Sequence, residues 1–196
     1  MENTEIKQKT TENKSKRNIN SHILDIVYIA MFAAIITVCS QISIPTTIPF
    51  TLQTFAVFAA AAMLGLKRGT LSVLVYILLG IIGIPVFAGF SGGIGTLMGA
   101  TGGYIIGFIF TAVIVGFMTD KLGRKLWVLA VSMVLGLLIC YAFGTAWFMV
   151  VYGSANGGID LLTALSWCVT PYLIFDAAKI VCASILVNRL DKIIKL

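Results

Sequence analysis

The chain has 196 residues, of which 59% are apolar and 11% charged, with a net charge of +6 and a mean hydropathy of +1.00. Soluble domains contain roughly 45–50% apolar and about 25% charged residues, so this chain has too few charged side chains to cover a water-facing globule. This composition argues against a soluble enzyme or a nucleic-acid-binding protein, and it predicts a membrane protein whose basic residues mark the cytoplasmic side.

The first 22 residues, 1–22, are polar and mixed in charge. They lack the apolar stretch that follows the basic part of a signal peptide. A segment of this composition cannot bury enough apolar surface to offset the entropy of ordering it. We therefore predict a disordered cytoplasmic tail, followed by a single transmembrane domain over residues 23–196.

Six apolar segments follow the tail. A helix needs about 20 apolar residues to cross the hydrocarbon core of a bilayer, and shorter pieces are tolerated inside a bundle. The predicted spans cover residues 23–44, 52–66, 70–84, 101–119, 126–152 and 171–190. The sequence therefore predicts an all-α, multi-pass protein of the cell membrane with six transmembrane helices.

The distribution of Lys and Arg gives the orientation. Thirteen of these 14 residues lie in the tail, in the turns after the second and fourth spans, or beyond residue 188. The three loops on the opposite side, residues 45–50, 85–100 and 153–170, contain none. Because Lys and Arg are retained on the cytoplasmic side, we expect an even number of spans with both termini cytoplasmic.

The outer loop that precedes the fourth span is apolar, uncharged and rich in glycine. Non-helical backbone at membrane depth needs protein or water to satisfy its N–H and C=O groups, so we expect this loop to fold into the bundle. Its N–H groups could receive an anion, or its glycines could simply allow close packing. It is not a P-loop, because no Gly-Lys-Ser/Thr follows it.

Three ionisable side chains are candidates for ligand binding. Asp176 and Lys179 are three residues apart and share one face of the sixth span, roughly 8–12 Å below its outer end. They indicate either an outward-opening pocket or a structural ion pair. Asp160 is the sole charge in the outer loops. It is either an acceptor for ligand N–H groups or a helix cap.

Aromatic and amide side chains near Asp160 extend this candidate site. Trp147, Tyr152 and Asn156 lie at the outer end of the fifth span. An aromatic wall suits a flat heterocycle, and the alternative is an interfacial aromatic belt.

Enzymatic and metal-binding constellations are lacking. The sole histidine, His22, precedes the first span, and the four cysteines form no C-x-x-C pair. We therefore expect no catalytic triad, no metal site and no cofactor. In the first span, Ala30 and Ala34 form a small-xxx-small pattern that lets another helix approach closely.

Four motifs stand in order along the chain and together carry a family resemblance. They are Ile48-Pro49-Phe50-Thr51-Leu52-Gln53-Thr54, Gly83-Ile84-Pro85-Val86-Phe87-Ala88-Gly89, Gly99-Ala100-Thr101-Gly102-Gly103-Tyr104, and Pro171 with Asp176-Ala177-Ala178-Lys179. With them the chain resembles BioY, the biotin-specific substrate-binding subunit (S-component) of energy-coupling-factor (ECF) vitamin transporters. Two positions depart from the family pattern, since Ala100 replaces the usual Pro and Phe175 the usual Gly.

The resemblance implies a six-helix bundle that binds biotin near its outer face, without catalysis, as the transported ligand. It implies a membrane coupling protein and two cytoplasmic ATPases as partners, besides the lipid bilayer. Ala30 and Ala34 match the small-residue face that meets the coupling protein. Asp176 and Lys179 match the polar pair at the ligand site.

Biotin offers a ureido ring with two N–H donors and a carbonyl acceptor, and a buried site should satisfy each of them. On this resemblance we expect Asp160 or Asp176 to accept the ureido N–H groups and Lys179 to donate to the carbonyl. Trp147 and Tyr152 would flank the ring.

The acidic tail of biotin needs a separate partner. We expect the glycine loop around Gly92 and Gly93, together with Gln53, to receive it. The opposite pose, with the carboxylate on Lys179, stays open. Two other functions also stay open: a stand-alone proton-coupled carrier of a small polar or anionic solute, in which Asp176 or Asp160 titrates, and a channel.

Overall fold

The protein is described by a computed structural model that covers residues 2–46 and 48–193. Its helices are α1 (Glu2–Gln41), α2 (Gln53–Ile81), α3 (Ile94–Met98), α4 (Gly102–Leu122), α5 (Leu126–Asn156), α6 (Leu161–Cys168) and α7 (Leu173–Ile193). Two short strands, β1 (Ser43–Ile44) and β2 (Phe50–Thr51), pair antiparallel between α1 and α2. Pro45 and Pro49 keep this connection out of a helix. The predicted mostly helical fold is confirmed.

Four helices are long and apolar enough to cross a membrane within the described part of the chain. These spans are Ser21–Gln41, Gln53–Ile81, Gly102–Leu122 and Leu126–Ser154. The pair α6 and α7, bent by 49° at a short break, is a fifth candidate. This arrangement is that of a multi-pass membrane protein.

Helix α2 contains both the second and the third predicted span. At Gly65 its backbone leaves helical geometry, with φ 77° and ψ −173°. Gln53 Nε2 donates a 2.7 Å hydrogen bond to the Tyr76 hydroxyl, although a straight helix would separate these residues by roughly 35 Å. The helix therefore doubles back at Gly65 into two antiparallel arms, residues 53–64 and 66–81.

The start of α1 differs from the sequence prediction. A disordered tail was expected over residues 1–22, whereas the backbone from Glu2 onward is helical. Lys, Glu and Gln are good helix formers, and extending an existing helix adds one hydrogen bond for each residue fixed. The candidate span begins only at Ser21, so the polar segment lies outside it. Its cytoplasmic placement stays a prediction.

The first arm of α2 lies at the centre of the bundle. All seven residues from Ala56 to Ala62 are buried, so this stretch has no face in contact with the surroundings. Helix α1 lies at the periphery, with only 22% of its span buried against 61% for α4. The first arm of α2 thus forms part of the interior of the bundle, and α1, α4 and α7 pack against α2.

The glycine-rich loop packs against α1 and α2. Val86 and Phe87 are buried, and the Ser40 hydroxyl donates to the Val86 carbonyl at 2.5 Å. The Gln41 amide donates to the Phe87 carbonyl at 3.1 Å and accepts from the Phe90 N–H at 2.9 Å. Protein groups thus satisfy this irregular backbone, as its depth requires.

The break in α2 is held by residues from other helices. Asp120 on α4 accepts the Leu66 N–H at 2.9 Å, at the start of the second arm. Arg124 donates to the Ala62 and Met63 carbonyls, at 2.7 and 2.8 Å, at the end of the first arm. Its guanidinium also pairs with Asp191 on α7 at 2.9 Å. We call this region of the bundle the break end.

Candidate ligand-binding site

An open cavity lies at the opposite end of the bundle from the break. The first residues of α2, α4 and α7 line it, together with the middle of α5 and the glycine-rich loop. Its exposed wall surface is mainly apolar, although many of the lining residues carry a polar group. These residues are Thr51, Gln53, Thr54, Ser91, Thr96, Thr101, Tyr104, Tyr141, Tyr172, Asp176 and Lys179. This composition is typical of small-molecule sites.

The charged centre of the cavity is an ion pair on α7. Lys179 Nζ lies 2.7 Å from Asp176 Oδ1, and the two side chains are 8% and 5% exposed. Their i,i+3 spacing brings them together on one helical face. Because burying either charge alone would be costly, each stabilises the other at this depth.

Two further side chains complete the environment of this pair. The Tyr141 hydroxyl on α5 donates to Asp176 Oδ2. The Thr54 hydroxyl accepts from Lys179 Nζ at 3.0 Å and lies 3.4 Å from Asp176 Oδ1. Lys179 Nζ also lies 4.4 Å from the centre of the Phe50 ring, a cation–π distance. The pair therefore presents no net charge to the cavity, with its polar atoms held in fixed directions.

Aromatic side chains cover one side of the pair. The Phe50 ring is stacked on Tyr172 at 6.2 Å and meets Phe175 edge-on at 4.7 Å. The Tyr172 hydroxyl donates to the Ile48 carbonyl and so ties the start of α7 to the connection between α1 and α2. Phe175, at a position where the resemblance leads one to expect Gly, belongs to this cover.

Gln53 lines the cavity, as predicted from its motif, and is 4% exposed. Its side-chain nitrogen donates to the Tyr76 hydroxyl, which fixes the orientation of the amide. Together with Asp176 and Lys179 it makes three predicted ligand residues that the fold brings to one cavity.

Trp147 and Tyr152 do not line this cavity. The Trp147 indole N–H donates to the Gly99 carbonyl at 3.0 Å and so supports the segment that leads into α4. Tyr152 stacks on Phe148 at 5.1 Å and meets Trp167 edge-on at 5.9 Å. Trp147 therefore supports the segment before α4, whereas Tyr152 packs between α5 and α6.

Asp160, the charged residue predicted after Tyr152, does not line the cavity either. Asn156 is the last residue of α5, and its side chain lies outside the described part of the structure. Asp160 is exposed and forms the N-cap of α6, where its carboxylate accepts the Leu162 N–H at 3.2 Å. The structure thus places Asp160 in the helix-capping role that the sequence left open, because α6 begins directly after it.

Gly92 and Gly93 do not line the cavity either. The Gly93 N–H donates to the Gly80 carbonyl at 2.7 Å, so it does not point at a ligand. A Cβ on Gly92 would lie 2.5 Å from the Ile84 carbonyl oxygen, which leaves room only for glycine. The loop instead contributes the side chains of Ser91 and Thr96 to the cavity. Of the two roles that the sequence left open for these glycines, the geometry at Gly92 is that of close packing and not of anion binding.

Tyr141 and Thr54 contact the charged pair but were not singled out from the sequence. Thr54 belongs to a quoted motif, yet nothing local indicates its lysine partner 125 residues away. Tyr141 stands in a long apolar span without a motif. Only the packing of α5 against α7 brings its hydroxyl to Asp176.

Ala30 and Ala34 lie on the face of α1 that points away from the rest of the bundle. Both are exposed, as are Val27, Met31 and Val38 on the same helix. The predicted partner-binding residues thus lie on a surface that no other part of the described chain covers.

Comparison with known proteins identifies the family. Residues 9–196 match the BioY family. A biotin transporter BioY from Thermotoga maritima is 44% identical over 164 residues, which cover 83% of this chain and 93% of the relative. A probable biotin transporter BioY from Pyrococcus horikoshii is 40% identical over 168 residues, which cover 85% of this chain and 96% of the relative.

A solved structure shares the fold. The 2.1 Å crystal structure of the S-component for biotin from an ECF-type ABC transporter matches with a TM-score of 0.79 at 29% identity. The match covers 88% of this chain and 93% of that chain. By its sequence and its fold, the chain belongs to the BioY family.

Proposed function

We propose that this chain is the substrate-binding S-component of an ECF-type transporter, which captures biotin from the outside and delivers it for ATP-driven uptake. The observation that carries the proposal is the cavity built around the buried Asp176–Lys179 pair. Family membership supports it, because the curated relatives are named as biotin transporters and the solved neighbour as an S-component for biotin.

The proposed topology has six spans with both termini cytoplasmic. Counting the two arms of α2 separately and the α6–α7 pair once gives this number. Lys67, Arg68, Arg124 and Lys125 lie at the break end, and basic residues favour the cytoplasmic side. In this orientation the cavity opens to the outside.

The charged pair fits the ureido ring better than the carboxylate of biotin. A neutral pair offers no net charge to compensate a buried anion, whereas it matches a neutral group that both donates and accepts. In the proposed pose, Lys179 donates to the ureido carbonyl and the N–H groups face the Asp176 side. The acidic tail then points toward Gln53 and the loop hydroxyls of Ser91 and Thr96.

The proposed partners are a membrane coupling protein and two cytoplasmic ATPases. The exposed small-residue face at Ala30 and Ala34 supports docking of the coupling protein on α1, because small residues let helices approach closely in a bilayer.

Equilibrium binding of biotin to the purified protein tests the proposal. Trp147 contacts the segment that leads into α4, so quenching of its fluorescence is a suitable readout. We expect saturable binding in the nanomolar range, weakened by about 2–5 kcal/mol in Lys179→Ala, which leaves a buried partner unpaired. Absence of binding to folded wild type would contradict the proposed ligand.

Two further measurements separate the alternatives. If biotin methyl ester binds much more weakly than biotin, and Lys179→Ala erases this difference, the carboxylate and not the ureido ring meets Lys179. Uptake into vesicles should require the ATPases. Uptake without them that collapses with the proton gradient would instead support a proton-coupled carrier.

A further inference from the structure

The hydroxyl of Tyr141 is the least expected polar group in the cavity. Tyr141 is 8% exposed, lies in the middle of α5 and lines the cavity beside the charged pair. Its hydroxyl donates to Asp176 Oδ2, while Lys179 Nζ holds Oδ1. The carboxylate thus has a tyrosine on one oxygen and a lysine on the other.

This arrangement fixes the direction of the Tyr141 proton. A tyrosine hydroxyl has one proton to donate and lone pairs to accept with. Because the proton goes to the carboxylate, the lone pairs remain for a donor in the cavity. A hydrogen bond to an ionised group also polarises the hydroxyl, which makes its oxygen a stronger acceptor.

Lys179 supplies the complementary group. Its ammonium carries three donors and no acceptor, and two of the donors are directed to Asp176 and Thr54. Tyr141 as acceptor and Lys179 as donor are bridged by the two oxygens of a single carboxylate. An N–H and a C=O on adjacent ligand atoms, as in the edge of a cyclic urea, present a donor and an acceptor in the matching order.

We infer that Tyr141 is a ligand-binding residue that accepts a hydrogen bond from one ureido N–H, and that Asp176 is the positioning residue that orients it. This inference rests on the proposed function and deepens it. The site then selects neutral cyclic ureas with a free N–H next to the carbonyl.

The test uses the full chain in lipid nanodiscs with three ligands: biotin and the two isomers methylated at one ureido nitrogen. Tyr141→Phe removes the acceptor and keeps the ring. We expect it to weaken biotin binding about tenfold or more. Tyr141→Phe should weaken binding little further for the isomer in which a methyl group already replaces the hydrogen of the N–H that Tyr141 contacts.

Tyr104→Phe is the matched control. Tyr104 also lines the cavity, but its hydroxyl pairs with Thr145 at 3.0 Å and not with a charged group. We expect this variant to change the affinity for biotin and for both isomers by the same factor, without discrimination between them.

The outcomes separate this inference from the proposed function. Unchanged biotin affinity in folded Tyr141→Phe, or an equal loss for biotin and both isomers, would overturn the role of Tyr141 alone. Absence of biotin binding to the wild type would overturn the proposed function as well. If Tyr141→Phe fails to fold, the wild-type protein still tests the inference. Equal wild-type affinities for the two methylated isomers would contradict a single residue that accepts a hydrogen bond from one N–H.

Discussion

The two ends of the bundle carry similar ion pairs in different settings. At the cavity end, Lys179 and Asp176 are 2.7 Å apart and nearly inaccessible. At the break end, Arg124 and Asp191 are 2.9 Å apart and partly exposed. The Arg124 guanidinium also binds two carbonyls that end the first arm of α2, whereas the Lys179–Asp176 pair faces an open cavity.

The surroundings of an ion pair therefore decide its role. Helix ends leave backbone groups without partners, and Arg124 satisfies two of them. Its donors are therefore used for structure. At the cavity end the pair is satisfied by side chains alone, and its neighbours Thr54 and Tyr141 line the cavity. Substitutions at the two ends should accordingly separate affinity from stability.

Lys179→Met should have the largest effect. It leaves the buried Asp176 carboxylate unpaired, which costs about 3–5 kcal/mol and removes a ligand contact. We expect biotin affinity to fall at least about a hundredfold, measured by tryptophan fluorescence on protein that remains monodisperse.

A double variant provides the control for Lys179→Met. Adding Asp176→Asn removes the unpaired charge and should restore folding without restoring affinity. Recovery of wild-type affinity in the double variant would instead mean that the pair is purely structural.

Gly65→Ala should strongly destabilise the break end. Gly65 has φ 77°, and a Cβ there would lie 2.3 Å from Asp120 Oδ1. Gly123 has nearly the same backbone angles, φ 80° and ψ −180°, with nothing within 4 Å of a Cβ. Both alanines carry the strain of positive φ. We expect Gly65→Ala to lower the free energy of unfolding by about 1–3 kcal/mol more than Gly123→Ala does, measured by thermal unfolding in detergent.

The Gly123→Ala variant isolates the close approach of Asp120 from backbone strain. Equal destabilisation by the two alanines would show that Asp120 moves away freely and that its bond to the Leu66 N–H contributes little.

Arg124→Gln should lower stability with little effect on affinity. It removes the ion pair with Asp191 and weakens the bonds to the Ala62 and Met63 carbonyls, for an expected loss of about 1–3 kcal/mol. Unfolding midpoints and biotin titrations on the same preparation check this. A large loss of affinity at unchanged stability would contradict the division between the two ends.

The regular parts of this fold could be predicted because apolar length and basic turns are local signals. The two arms of α2 correspond to the second and third predicted spans. Their turn lies at Gly65 and not at residues 67–69, because a reversal needs a residue that accepts positive φ, and Lys67 and Arg68 remain helical. The basic residues Lys67 and Arg68 thus indicate that a turn lies nearby, but they do not indicate that the chain reverses at Gly65.

The site could be predicted in part for the same reason. Asp176 and Lys179 stand out as charges within an apolar helix. The sequence gives no sign of the role of Tyr141, which stands among apolar residues, because that role depends on the packing of α5 against α7. In a sequence, aromatic residues at the outer ends of spans, such as Trp147 and Tyr152, look alike whether they line a cavity or pack between helices outside it.

Asp160 gives the smallest and most discriminating test. As the N-cap of α6 it accepts the Leu162 N–H, and loss of such a cap costs about 0.5–2 kcal/mol. Asp160→Ala should therefore lower stability slightly and leave biotin affinity unchanged, since the residue is exposed and lies outside the cavity. Asp160→Asn keeps the cap and removes the charge, so it should match the wild type in both assays. If Asp160→Asn loses affinity while stability holds, the Asp160 carboxylate meets the ligand, and α6 must then move toward the cavity when biotin binds.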